Sequence, residues 1–235
     1  MHTDRIDFIS SYCDRWCERC AFTDRCVVYA CSIAAAMCDG DVTAGMELAI
    51  GRPQPVHGER DATVGERLLD EFGEPSDAEL ADAMREEESR RARIDELEIS
   101  HLGWRYSVKS LEWLKGRESP SAHPDPLIRE ALEIVAWDAT LISAKLHRAL
   151  SGRERSLDEA SMDDDPTRND ANGSAKVALI SLARSETSWL LIADATGDAA
   201  AADLASLAAG LRASVIEEFP MAMAFVRPGF DEPGR

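Results

Sequence analysis

Residues 12–29 read Tyr12-Cys13-Asp14-Arg15-Trp16-Cys17-Glu18-Arg19-Cys20-Ala21-Phe22-Thr23-Asp24-Arg25-Cys26-Val27-Val28-Tyr29. Four of the chain's six cysteines stand in this run, spaced C-x3-C-x2-C-x5-C. Thiolates bind soft and borderline metals, and a metal centre needs several of them converging on one point. If the run is helical, Cys13, Cys17 and Cys20 fall at i, i+4 and i+7 and leave one face. Thr23, as N-cap of a second helix, would then turn Cys26 back towards them. Arg15, Arg19 and Arg25 add positive charge, which favours the thiolate form.

Two plainer readings compete. Free cysteines are among the most buried residue types, so the four could be ordinary core thiols. Core thiols should be flanked by aliphatic residues, whereas Asp14, Arg15, Glu18, Arg19, Asp24 and Arg25 fill the gaps here. A disulfide framework suits small secreted chains, but this one has 235 residues and starts Met-His-Thr-Asp-Arg, without an apolar signal segment. The expected compartment is therefore a reducing cytoplasm. A bound metal centre with Cys13, Cys17, Cys20 and Cys26 as its ligands is the expectation.

Zinc and a [4Fe-4S] cubane both use four cysteines. Zinc sites usually draw on two separated Cys pairs, whereas a cubane is often served by one compact run, so the cubane is favoured. Cys17-Glu-Arg-Cys20-Ala-Phe-Thr-Asp-Arg-Cys26 also resembles the iron–sulfur loop of helix-hairpin-helix DNA glycosylases, whose cluster motif ends in the same C-x2-C-x5-C spacing. The resemblance covers about ten residues and implies a cluster. It does not extend to glycosylase activity: the gap after Cys13 is shorter than theirs, Ala21 stands where a proline is frequent, and no Gly-rich helix-hairpin-helix segment is present. Radical SAM enzymes share C-x3-C-x2-C, matched by Cys13, Cys17 and Cys20. Their chemistry requires a β/α barrel, and no alternating strand–helix pattern follows.

Composition narrows the remaining choices. The formal net charge is −18, the wrong sign for gripping a phosphate backbone, which argues against a nucleic-acid partner. No apolar run reads as a membrane span, so no membrane partner is expected. The partner that an iron–sulfur reading implies is a redox protein. Nothing in the sequence sets the oligomeric state.

Along the chain, residues 1–38 read as an N-terminal helical pair carrying the cysteines, the second helix running over 24–37. Cys31 and Cys38, at i and i+7 among small aliphatics, read as core thiols. Residues 39–75 are punctuated by glycine and proline and read as a linker, with one short helical phrase at 64–72 and a surface His57. Residues 76–235 read as a helical bundle with a docked C-terminal tail. Ser76-Asp-Ala-Glu79 is a capping box opening one long helix. Asp125-Pro126 opens a helix to residue 150, and further helices cover 174–194 and 198–219. The apolar tail after Pro220 is expected to dock on the bundle. The fold class is all-α.

Three charged residues fall inside the bundle's apolar arcs: Asp138, Lys145 and Glu186. A lone buried carboxylate is costly, so Glu186 needs a partner, a proton or a metal, with Asp138, Lys145 or Lys176 as candidates. The bland account is a buried ion-pair network. The functional one is an acidic catalytic site of Glu186, Asp138 and Lys145, since perturbed acids gather where chemistry occurs. Glu98-Ile-Ser-His101 has the spacing of di-iron bundles, but that pattern requires two such motifs. The leading function is an iron–sulfur protein, redox-active or cluster-stabilised. The alternatives are a zinc-stabilised protein-interaction module, or a ferritin-like di-metal oxidase using Glu186, Asp138 and His101.

Overall fold

The computed structural model describes residues 4–51, 73–117, 119–158, 165 and 167–231. Seven α-helices and no strand occur among the described residues, in agreement with the all-α expectation. They are α1 (Val27–Met37), α2 (Val42–Ile50), α3 (Asp77–Asp95), α4 (Glu98–Leu114), α5 (Pro126–Asp158), α6 (Asp170–Thr196) and α7 (Ala199–Glu218). The chain divides into two compact units. One comprises Met1–Ser10 and Trp16–Arg90, the other Ser11–Arg15 and Arg91–Arg235. The short helical phrase expected at 64–72 and His57 lie outside the described residues.

In the first unit the helical pair is α1 with α2, and it follows the cysteine run instead of containing it. The linker expected over 39–75 therefore contains a helix. Its start is set by Asp41, whose carboxylate accepts the Ala44 N–H at 3.0 Å. Gly45 read as a loop residue for a packing reason: a Cβ there would lie 2.4 Å from the Ala35 backbone nitrogen. The glycine lets two apolar helices touch along their backbones. The helix α3 begins with the capping box in both directions. Ser76 N–H donates to Glu79 Oε2 at 2.8 Å, and Glu79 N–H donates to Ser76 Oγ at 3.3 Å.

The second unit is a bundle in which α4 packs on α5, α5 on α6, α6 on α7, and α7 closes back on α4. The long helix expected from residue 76 is broken before α4, where Leu97 is extended (ψ 135°). The break lets Ile94 and Ile99 both enter the core. The helix α5 runs two turns beyond residue 150, passing through Gly152, whose face lies against Ala171. A helical glycine costs about 1 kcal/mol relative to alanine, too little to end a helix that packs. The core centres on Trp189 and Tyr106, each fully buried, with Trp113 edge-on to Trp189 at 4.9 Å between ring centres. Burying each such aromatic stabilises the fold by about 2–3 kcal/mol.

The helices α6 and α7 are joined tightly. Gly197, with φ 68°, ends α6 in the left-handed region, and Asp198 caps α7 by accepting the Ala200 N–H at 2.9 Å. The other carboxylate oxygen of Asp198 accepts from Trp113 Nε1 at 2.9 Å, tying the end of α4 to the start of α7. By length and composition α7 passes as a membrane span, contrary to the sequence expectation. Its Leu204, Ala208, Leu211 and Val215 are buried in the bundle core. The tail docks: Ala222 and Phe225 are buried, and the Lys176 ammonium donates to the Phe225 carbonyl at 2.7 Å.

Candidate metal centre

The cysteine run does not form the expected helix. It is a chain of 3-10 turns, Ile9–Ser11, Cys17–Arg19 and Thr23–Arg25. Arg15 stands between Cys13 and Cys17 with φ 60°, in the left-handed region that a right-handed helix cannot pass through. The shared helical face of Cys13, Cys17 and Cys20 is therefore absent. Thr23 opens a turn instead of capping a helix, and Cys26 occupies the N-cap position of α1. Cys20 closes one turn by donating its N–H to the Cys17 carbonyl at 3.1 Å. Cys26 closes the next by donating to Thr23 at 3.4 Å.

The donor chemistry suits a soft metal. All six cysteines are half-buried thiols, and the Phe22 N–H points at Cys20 Sγ at 3.4 Å, a contact that strengthens as the sulfur gains negative charge. Among the described residues, however, no three His, Cys, Asp or Glu side chains converge closely enough to hold a metal ion. Two of the neighbouring arginines are engaged elsewhere. Arg25 is held by the Asp4 carboxylate at 3.0 Å and the Asp4 carbonyl at 2.8 Å, and Arg19 stacks 4.0 Å over the Trp16 ring.

In the bundle, Asp138 is fully buried on α5 and its partner is Arg184 of α6. Arg184 Nε donates to both carboxylate oxygens, at 3.2 and 2.9 Å, and Nη2 donates to Oδ1 at 2.5 Å. The remaining arm, Nη1, donates to Asp14 Oδ2 at 2.6 Å. Burial pushes the Asp138 carboxyl up to about 6, with the hydrogen bonds and charge of Arg184 opposing that rise. Burial also opposes the charge on Arg184, but the two carboxylates outweigh it and hold the guanidinium protonated above its ordinary range.

Lys145, also on α5, is buried and donates to the Ser11 carbonyl at 3.0 Å. Burial lowers its pKa to about 8, against the raising effect of Cys13. Glu186 does not join this group. Its Oε2 accepts from Arg212 of α7 at 3.0 Å, and its side chain keeps 24% of its exposure. The expected pairing of Glu186 with Asp138, Lys145 or Lys176 is corrected accordingly. Arg184 precedes Glu186 by two residues, so about 200° of helix rotation separates them. One faces α5 and the other α7. Lys176 is engaged instead with Asp231 and the tail carbonyls. His101 is exposed, bonded at 2.6 Å to the Asp95 carbonyl, and Glu98 is exposed as well, so neither contributes to a di-metal arrangement with Glu186 and Asp138.

Sequence reasoning missed Arg184, which bridges the carboxylates of Asp138 and Asp14. It also missed a buried polar cluster in which Trp189 Nε1 donates to the Tyr106 hydroxyl at 3.1 Å and that hydroxyl pairs with Ser185. The available signal was the row Ser181, Ser185 and Ser188 on the inner face of α6, small polar residues that make room for large partners. Comparison with protein-family models, curated proteins and solved structures finds no match to this chain.

Proposed function

We propose that the chain is an iron–sulfur protein that binds one [4Fe-4S] cluster through Cys13, Cys17, Cys20 and Cys26 and serves in electron transfer. The observation that carries the reading is the C-x3-C-x2-C-x5-C run embedded in charged residues. It is supported by the likeness of Cys17–Cys26 to a known iron–sulfur loop and by the backbone N–H directed at Cys20 Sγ. Such a group, when bound, supplies one-electron chemistry, with a potential set by charge, hydrogen bonds to sulfur and solvent exposure. The bundle acids Asp138 and Glu186 are engaged by Arg184 and Arg212, which favours a structural role for them over acid–base catalysis.

The test is anaerobic absorption spectroscopy of wild-type protein and of Cys17→Ala. A broad visible absorption that bleaches on reduction, and is missing from Cys17→Ala, supports the reading. Colourless wild-type protein carrying stoichiometric zinc, after expression with ample iron, overturns the cluster and favours a zinc-stabilised interaction module.

A further inference from the structure

Between α4 and α7 the bundle opens into a cavity of about 610 Å³, a volume typical of small-molecule sites. All of it lies within the unit formed by the bundle. Its apolar wall is Trp113, Leu204 and Leu207. Trp113 is fixed by three contacts: its Nε1 donates to Asp198 at 2.9 Å, its ring stands edge-on to Trp189, and the Arg117 guanidinium stacks 3.6 Å over it. An aromatic wall already held in place loses little freedom when a ligand arrives, which favours binding.

The charged lining is divided by sign. On α4, Arg105, Lys109 and Glu112 stand at i, i+4 and i+7 and share the face that lines the cavity. Asp203 joins them from α7, where that helix begins its second turn. Because Asp198 ties the start of α7 to the end of α4, both acids stand nearer the Trp113 end and Arg105 stands at the far one. Arg105 and Glu112 are about 10 Å apart along the helix axis. Among the described residues, none of these four side chains has an ion-pair or hydrogen-bond partner. Elsewhere in the bundle Arg117, Arg184 and Arg212 each hold a carboxylate.

A ligand of one charge would leave half of this lining uncompensated. A ligand with an apolar body and opposite charges about 10 Å apart answers all of it, and three extended residues span that length. A guanidinium can bind a peptide's terminal carboxylate through two parallel hydrogen bonds.

The geometry points to a binding site for a short apolar peptide with both termini free, its carboxylate at Arg105 and Lys109 and its ammonium at Glu112 and Asp203. This site does not depend on the iron–sulfur reading. The experiment is isothermal titration calorimetry of the full chain with the peptide Ala-Phe-Ala, with its N-acetylated and C-amidated forms, and with phenylpropionate, which has a carboxylate but no ammonium. Ala-Phe-Ala should bind saturably, and blocking either terminus should weaken it roughly tenfold, the worth of a charged hydrogen bond. Arg105→Gln/Lys109→Gln changes two exposed side chains. It should weaken the free peptide by a similar factor and leave the amidated form unchanged, a coupling that a general loosening of the bundle would not produce. Absence of saturable binding to wild-type protein overturns the site, as does equal affinity for wild type and variant. Phenylpropionate binding as tightly as the peptide would overturn the peptide class, because the two acids would then contribute nothing. Self-association of the chain that is lost in Arg105→Gln/Lys109→Gln would put a second copy in the cavity and overturn the proposal as well.

Discussion

Replacing Arg184 with Met should be the most damaging single change among the charged residues of the bundle. The guanidinium makes three hydrogen bonds to Asp138 and one to Asp14. Met fills similar volume but leaves the Asp138 carboxylate fully buried without its cation. Breaking a buried pair from one side costs about 3–5 kcal/mol, most of it the penalty on the abandoned charge. Asp138→Leu is milder, because Arg184 keeps Asp14 and retains some solvent contact; about 1–3 kcal/mol is expected. The double variant Arg184→Met/Asp138→Leu removes both charges from the interior and should recover most of the Arg184→Met loss, leaving it well above the sum of the two single effects. Urea unfolding followed by near-ultraviolet circular dichroism reads the transition, since Trp113 and Trp189 pack edge-on in the core. An Arg184→Met loss below about 1 kcal/mol, or a double variant as unstable as the summed singles, would refute the assignment of Arg184 as the partner that makes burial of Asp138 tolerable.

Glu186→Gln should cost at most about 1 kcal/mol in the same assay, because its pair with Arg212 is partly exposed; a larger loss would restore a special role for this carboxylate. Lys145 binds its proton less tightly folded, near 8, than unfolded, near 10.5, so stability should rise with pH across that window and Lys145→Met should flatten the rise. A wild-type profile that falls there, with the slope removed by Lys145→Met, would contradict the burial account. Gly173→Ala drives a methyl into the Tyr12 and Phe225 rings and should destabilise by about 1–3 kcal/mol, whereas Gly210→Ala, with open space around it, should be neutral or stabilising; unfolding midpoints distinguish the two.

Much of the bundle could be read from residue pattern. The Ser76–Glu79 capping box, the Asp125-Pro126 start, the break around Gly197-Asp198 and the docked tail are local chemistry, and local chemistry survives folding unchanged. Asp138 and Lys145 were also found on the buried side of their helix, since the period of 3.6 fixes which face a residue occupies. What periodicity does not give is the neighbour across that face. The central helix α6 is covered on two sides, so Arg184 and Glu186 both meet partners, but on opposite sides. The cysteine run was misread because the same spacing suits a helix and a string of turns alike, and the left-handed Arg15 is what a helix could not accommodate. Gly45 misled for a related reason: a glycine required by close helix contact has the same one-letter signal as a glycine in a linker.

The iron–sulfur reading is tested most directly by counting iron, acid-labile sulfide and zinc in anaerobically purified protein. About four iron and four sulfide per chain, falling to background in Cys17→Ala and unchanged in Cys31→Ala, is the result expected of a cubane held by the N-terminal run. Wild-type protein without sulfide, or Cys17→Ala with the full complement of metal, would contradict it.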